Sequence, residues 1–81
     1  MVLENKKILV TGGAGFIGSN LVKKLLYQNN TIVCLDNFLT GFKENIEAFF
    51  LLPNFTFIEG DICNIDDCRK AVSGVDIVSL S

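Results

Sequence analysis

Apolar residues along this chain come in two rhythms that alternate. Residues 7–11 (KILVT) form a short apolar run that leads straight into glycine, which predicts a buried strand. Residues 16–28 then place Ile17, Leu21, Val22, Leu25 and Leu26 at helical spacing, with Lys23 and Lys24 left for solvent. Asn29 and Asn30 supply a turn. Residues 31–36 (TIVCLD) are a second strand rich in β-branched side chains. A loop over 37–41 follows, where Thr40 is placed to cap a helix. That helix carries Phe42, Ile46, Phe49 and Phe50 on one face and ends by about Leu52, ahead of Pro53. Residues 55–59 (FTFIE) read as a third strand. Asn64 caps a short helix with Ile65, Cys68 and Val72 inward and Gly74 as its stop. Residues 75–80 are the fourth strand.

The order βαβαβαβ with short connections predicts an α/β fold, a partial Rossmann fold. Its parallel sheet has four strands in the order 3-2-1-4, with three helices. The first two helices cover one face and the third covers the other. The chain reverses direction between the first and fourth strands, and a crevice opens there at the carboxyl ends of the strands.

Glycines crowd the mouth of that crevice. Gly12, Gly15 and Gly18 stand at three-residue intervals between the first strand and the first helix, with Gly13 as an extra. Gly12 permits a tight exit from the strand. Gly15 lets bare backbone approach a pyrophosphate, and Gly18 lets the helix press on the sheet. The helix N-terminus offers free N–H groups to the phosphates. Glycines also serve plain strand-to-helix turns, so context decides. Here Asp36 ends the second strand about 20 residues after Gly18, the separation at which an acid holds a ribose. A carboxylate at that place accepts hydrogen bonds from ribose hydroxyls and repels a 2′-phosphate, so the cofactor expected is NAD, not NADP. A phosphate loop for ATP or GTP is excluded, because Ser19 follows Gly18 with no lysine between. Asp61, in the run EGDI, is either a turn aspartate or an acceptor for the adenine amino group, with Ile62 packing on the ring.

Composition narrows the remaining classes. The 81 residues are 49% apolar and 20% charged, with net charge −2 and scattered basic residues. That fits one small globular domain and gives no surface for nucleic acid. No apolar segment approaches the roughly 20 residues needed to span a bilayer, and no signal peptide is visible, so a cytoplasmic location is expected. Three cysteines without CxxC spacing, and no histidine, argue against a metal site and for reduced structural thiols.

The runs TGGAGFIGSN, LDNFLTG, FIEGDI and GVDIV together resemble the N-terminal part of extended short-chain dehydrogenases/reductases, in particular the NAD-dependent sugar-nucleotide epimerases and dehydratases. Within that group the resemblance is to UDP-N-acetylglucosamine and UDP-glucose 4-epimerases, with UDP-glucuronate decarboxylase and 4,6-dehydratases as near relatives. It implies that Gly12, Gly15, Phe16, Ile17 and Gly18 hold the pyrophosphate, that Asp36 and Asn37 hold the adenosine ribose, and that Asp61 and Ile62 hold the adenine. A UDP-sugar is the substrate the resemblance implies for a full-length relative. It covers nearly all of this chain but only about a quarter of a typical member, which implies a truncated NAD-binding domain over residues 1–81 with the substrate domain absent. After the fourth strand the family pattern continues as His-x-Ala-Ala, whereas this chain reads Val78-Ser79-Leu80-Ser81.

The resembled enzymes use a Tyr-x-x-x-Lys pair to move the proton of a sugar hydroxyl. Tyr27 is the one tyrosine here, and Thr31 stands four residues later. No catalytic residue is therefore expected, and the chain alone is expected to be inactive. A stand-alone nucleotide-binding or interaction module is the reading from a different class. The outer edges of the third and fourth strands, left open, predict self-association.

Overall fold

The computed structural model describes residues 3–38 and 41–80. Strands β1 (Lys7–Thr11), β2 (Thr31–Asp36), β3 (Phe55–Glu59) and β4 (Ile77–Leu80) form one parallel sheet in the order β3-β2-β1-β4. The expected topology is therefore the observed one. Register follows from direct pairing of the apolar runs: Val10 faces Cys34 across β1–β2, Cys34 faces Phe57 across β2–β3, and Val10 faces Ser79 across β1–β4.

Side chains alternate across the sheet, as the pleat requires. On one face Ile8, Val10, Ile32, Cys34 and Phe55 meet Val22 and Leu25 of helix α1 (Phe16–Tyr27) and Ile46 of the segment after β2. On the other face Leu9, Val33 and Leu35 meet Ala71 of helix α2 (Ile65–Val72). The distribution of cover over the two faces is the expected one. Within the helices the details differ. Ile17 is 78% exposed, because Gly18, Val22 and Leu25 define the inward stripe of α1 and Ile17 sits to its side. In α2 the buried residue is Ala71, while Ile65 and Val72 are exposed. A helix of eight residues makes one close approach to a sheet, and the small side chain takes it.

There are two α-helices, not three. Residues 42–52 form two short 3₁₀ turns, Lys43–Asn45 and Glu47–Leu51. At the break, Ile46 leaves helical geometry (φ −122°, ψ 0°) and is driven fully into the core. Asn45 on one side bonds elsewhere, and Phe42 is exposed instead of facing inward. Phe49 and Phe50 lie against Phe55, with ring centroids 5.6 and 5.9 Å away. Core contacts at Ile46 and Phe49 thus outweigh helical continuity, which 3₁₀ geometry cannot extend far. Thr40, the expected cap, lies outside the described residues. Leu52 is extended ahead of Pro53, as the proline requires.

The amino ends of the strands are tied by one buried amide. Asn30 donates to Leu25 O (2.9 Å) and Leu3 O (3.0 Å), and its Oδ1 accepts from Lys6 N (3.1 Å). Asn54 Nδ2 bonds Asn30 O at 2.9 Å. Asn64 caps α2 as expected, accepting from Asp66 N and Asp67 N, and Gly74 (φ 70°) ends the turn beyond the helix. Among the described residues no helix is long and apolar enough to cross a membrane.

Replacing Asn30 with alanine takes the side-chain partner from Lys6 N and Leu3 O, both part-buried, and removes one of the donors to Leu25 O. We expect a loss of about 1–3 kcal/mol in unfolding free energy, read from the midpoint of a urea melt followed by circular dichroism.

Candidate functional site

The carboxyl end of β1 turns sharply at Gly12, whose φ of 70° suits glycine. Gly12 N donates to Leu35 O (2.9 Å), and its carbonyl accepts from Gly15 N (3.1 Å), so the loop folds back on itself. At Gly18 any Cβ would collide with the Gly12 carbonyl oxygen. Gly18 is thus needed for packing of α1 on the loop.

Gly15 is different. Its φ of −72° and ψ of 168° are open to every residue, and the nearest atom to an added Cβ is Gly12 O at 3.4 Å, an ordinary contact. Nothing among the described residues demands a glycine there. Gly15 is the N-cap of α1, yet no side chain caps this end and no acid stands in its first turn. The first N–H groups of a helix have no partner inside it. Here no side chain caps them, and they stand at the positive end of the helix dipole. Phe16 and Ile17, both 78% exposed, stand at this terminus. A bare Cα beside open N–H groups is a place for an anion, and the groups present fit a diphosphate.

Asp36 closes the loop from below. The residue is buried, 7% exposed. Oδ2 accepts from Ala14 N at 2.8 Å, and Oδ1 accepts from Phe38 N at 2.7 Å. Phe38 is held at φ 62°, left-handed for a bulky residue, where its N–H meets this carboxylate and its ring packs 5.1 Å from Phe57. Ala14 O in turn accepts from Phe42 N (3.1 Å) and Asn45 Nδ2 (2.7 Å). Asn45 was not singled out by the sequence. It is one asparagine in a polar stretch, and only the fold shows that it clamps the glycine loop.

A cleft of about 170 Å³ lies beside this arrangement, lined by Thr11, Gly12, Asp36, Asn37, Asp61 and Ile62 among others. Three strands deliver these residues to one end of the sheet. The expected ribose and adenine residues are thus brought together, next to the expected pyrophosphate loop. The Asp61 carboxyl is held below the usual carboxylate range, first by the Cys63 N–H (2.8 Å) and then by the Cys63 side chain, with the Asn37 side chain a smaller influence. Asp61 makes a turn, accepting from Cys63 N, and it also lines the cleft. Its own N–H donates to Asp67 Oδ2 (3.0 Å). Asp67 was also missed, although Asn64-x-x-Asp67 has the spacing of a helix-capping box. The negative charge of Asp61 raises the Cys63 thiol above its ordinary value.

A larger hollow of about 390 Å³ lies elsewhere, between the far end of α1 and the second 3₁₀ turn, lined by Lys23, Tyr27, Phe49 and Leu52 among others. No glycine loop, helix N-terminus or buried carboxylate faces it. Size alone does not make it the site. Tyr27 lies there, away from the crevice. Among the described residues no three histidine, cysteine or acidic side chains gather as a metal site would require.

The NAD dependent epimerase/dehydratase family matches this chain over residues 8–80. The chain belongs to that family. NAD, which the glycine loop and Asp36 led to, is the cofactor on which the family depends. Among curated members, UDP-glucuronic acid decarboxylase 2 of Arabidopsis thaliana is 48% identical over 56 residues, which are 69% of this chain and 13% of the decarboxylase. Among solved structures, the Bordetella bronchiseptica enzyme WbmF in complex with NAD+ and UDP superposes with a TM-score of 0.85 and 34% identity, over 98% of this chain and 23% of WbmF. The UDP-Glc/GlcNAc 4-epimerase of Campylobacter jejuni gives 0.83 and 30%, over 95% of this chain and 24% of the epimerase. The chain therefore spans less than a quarter of each of these three proteins.

The two glycines separate packing from ligand space. Gly18→Ala should destabilise the fold by about 1–3 kcal/mol through overpacking. Gly15→Ala should change stability by no more than about 1 kcal/mol, because its backbone suits alanine and only a weak cap preference is lost. Chemical denaturation of both variants checks the contrast.

Proposed function

We propose that this chain is the N-terminal, adenosine-diphosphate-binding part of an NAD-dependent enzyme acting on a UDP-sugar. The observation that carries the reading is Gly15: a backbone position free to take a side chain, left bare beside the uncapped start of α1. Gly12, Gly15, Phe16, Ile17 and Gly18 present main-chain groups to the pyrophosphate. Asp36, Asn37, Asp61 and Ile62 line one cleft; in this reading Asp36 and Asn37 hold the adenosine ribose, and Asp61 and Ile62 hold the adenine. NAD supplies hydride transfer when bound. The chain's own residues bind and orient it. Asp36 accepts from Ala14 N and Phe38 N, and a carboxylate, with about four lone-pair sites, has the capacity to accept from ribose hydroxyls as well. A 2′-phosphate at that corner meets a like charge.

Conversion of the sugar needs a proton-transfer pair that these residues do not provide. Tyr27 is the one tyrosine, and Thr31 stands where a lysine would complete Tyr-x-x-x-Lys. A UDP-sugar 4-epimerase is the first reading of the parent reaction. The 48% identity to a UDP-glucuronic acid decarboxylase favours decarboxylation of UDP-glucuronate as the second. A 4,6-dehydratase and a nucleotide-binding module without catalysis belong to the same cofactor corner. Residues 8–80 carry features that the family holds in common, so they bear on the cofactor more than on the sugar.

Titration calorimetry on the purified chain tests the cofactor. NAD should bind, NADP should bind at least roughly tenfold more weakly for want of a place for its phosphate, and Gly15→Ala should abolish NAD binding while the protein remains folded. NAD affinity unaffected by Gly15→Ala would sink the reading.

The same chain, incubated with NAD and either UDP-glucose or UDP-glucuronate, should form no epimer and release no carbon dioxide above a protein-free control. Product in either reaction would show that these residues do contain a proton-transfer pair.

A further inference from the structure

Gly13 is the glycine that the three-residue spacing leaves over. Its φ is not in the left-handed region, so its backbone gives no reason to exclude alanine. The obstacle is one atom. A Cβ at Gly13 would run into Cys34 Sγ, while the next nearest atoms, Cys34 Cβ and Val22 Cγ2, lie at 3.4 Å, where ordinary contact begins. Cys34 is fully buried among Val10, Val22 and Ile32. Two residues along the same face of β2 stands Asp36, which holds Ala14 N. Two alternate side chains of one strand therefore carry two consecutive residues of the loop, one by shape and one by hydrogen bonding.

We propose that Cys34 is a positioning residue for the cofactor loop: its sulfur sets the height of Gly13, and through it the bare backbone at Gly15, so that the glycine at 13 answers to Cys34 and not to the cofactor. This rests on the reading of the loop as the NAD diphosphate site. The thiol suits the role because it stays neutral. Burial, with the Asp36 charge adding to it, pushes it up to about 12, against a smaller opposing pull from the Gly13 backbone N–H. A neutral thiol packs as a small apolar group and is inert in place.

The pair makes a rescue experiment possible on the full chain. Melting temperature and NAD affinity are measured for Gly13→Ala, Cys34→Ala, the double variant and Cys34→Val, with affinity taken at a temperature where circular dichroism shows each fully folded. Gly13→Ala should lower the melting temperature and weaken NAD binding at least roughly tenfold, as expected for overpacking beneath a ligand loop. Adding Cys34→Ala should restore both to within about threefold in affinity, and to nearly the melting temperature, of Cys34→Ala alone, since coupled neighbours are non-additive. Gly18→Ala combined with Cys34→Ala serves as the control and should recover nothing, because Gly12 O is what blocks that position. Cys34→Val, which adds bulk under Gly13, should weaken NAD binding in the folded protein. A purely structural Cys34 would shift the melting temperature and leave that affinity unchanged, which would overturn the positioning role. Additive losses in the double variant would overturn the steric pair. Absence of NAD binding by the unaltered chain would overturn the cofactor reading first, and the positioning role with it, while the melting temperatures would still report on the pair.

Discussion

The carboxylate of Asp36 is the point on which this arrangement turns. It is buried, yet each of its oxygens meets a backbone N–H from a different loop. Charge-assisted bonds of this kind are among the stronger ones available to a protein. Through Ala14 they fix the glycine loop on the carboxyl end of β2. Through Phe38 they fix the start of the next segment, which returns to clamp Ala14 O with Phe42 N and Asn45. The loop is thus held from two sides by groups other than a ligand. Order is in place before a cofactor arrives, so less conformational entropy remains to be lost on binding.

The sheet was legible because strand and helix rhythms are strong in this chain. KILVT, TIVCLD and FTFIE each became strands with the expected limits, and Asn64 capped its helix. The segment 42–52 was misread for a physical reason. Phe42, Ile46, Phe49 and Phe50 sit at helical spacing, but of these Ile46 alone gains full burial, and it does so by leaving helical geometry. Spacing reports which residues are apolar and not which of them the core has room for. Site residues fall into the same two groups. Asp36 and the three spaced glycines carry a pattern that any reader of the chain can find. Asn45 and Cys34 meet segments far along the chain, and polar or small letters in isolation do not announce such contacts, whereas Asp67 bonds Asp61 N six residues back.

The comparisons point to decarboxylases by sequence and to an epimerase and the NAD-bound WbmF by structure. These are different reactions built on one corner of one fold. Such sharing is expected where a cofactor performs the redox step and the protein supplies orientation. What differs between the reactions must reside in the groups that face the sugar. A fold with its cofactor site intact is compatible with several chemistries and selects none of them.

The start of α1 offers main-chain groups to whatever it holds, while the rings and branches of Phe16 and Ile17 point out to solvent. A grip of that sort is written in shape and is nearly blind to spelling. Other side chains at those two positions would leave the main-chain groups in place. Gly12, by its left-handed backbone, and Gly18, by its contact with Gly12 O, have no such freedom, whether or not a ligand is met.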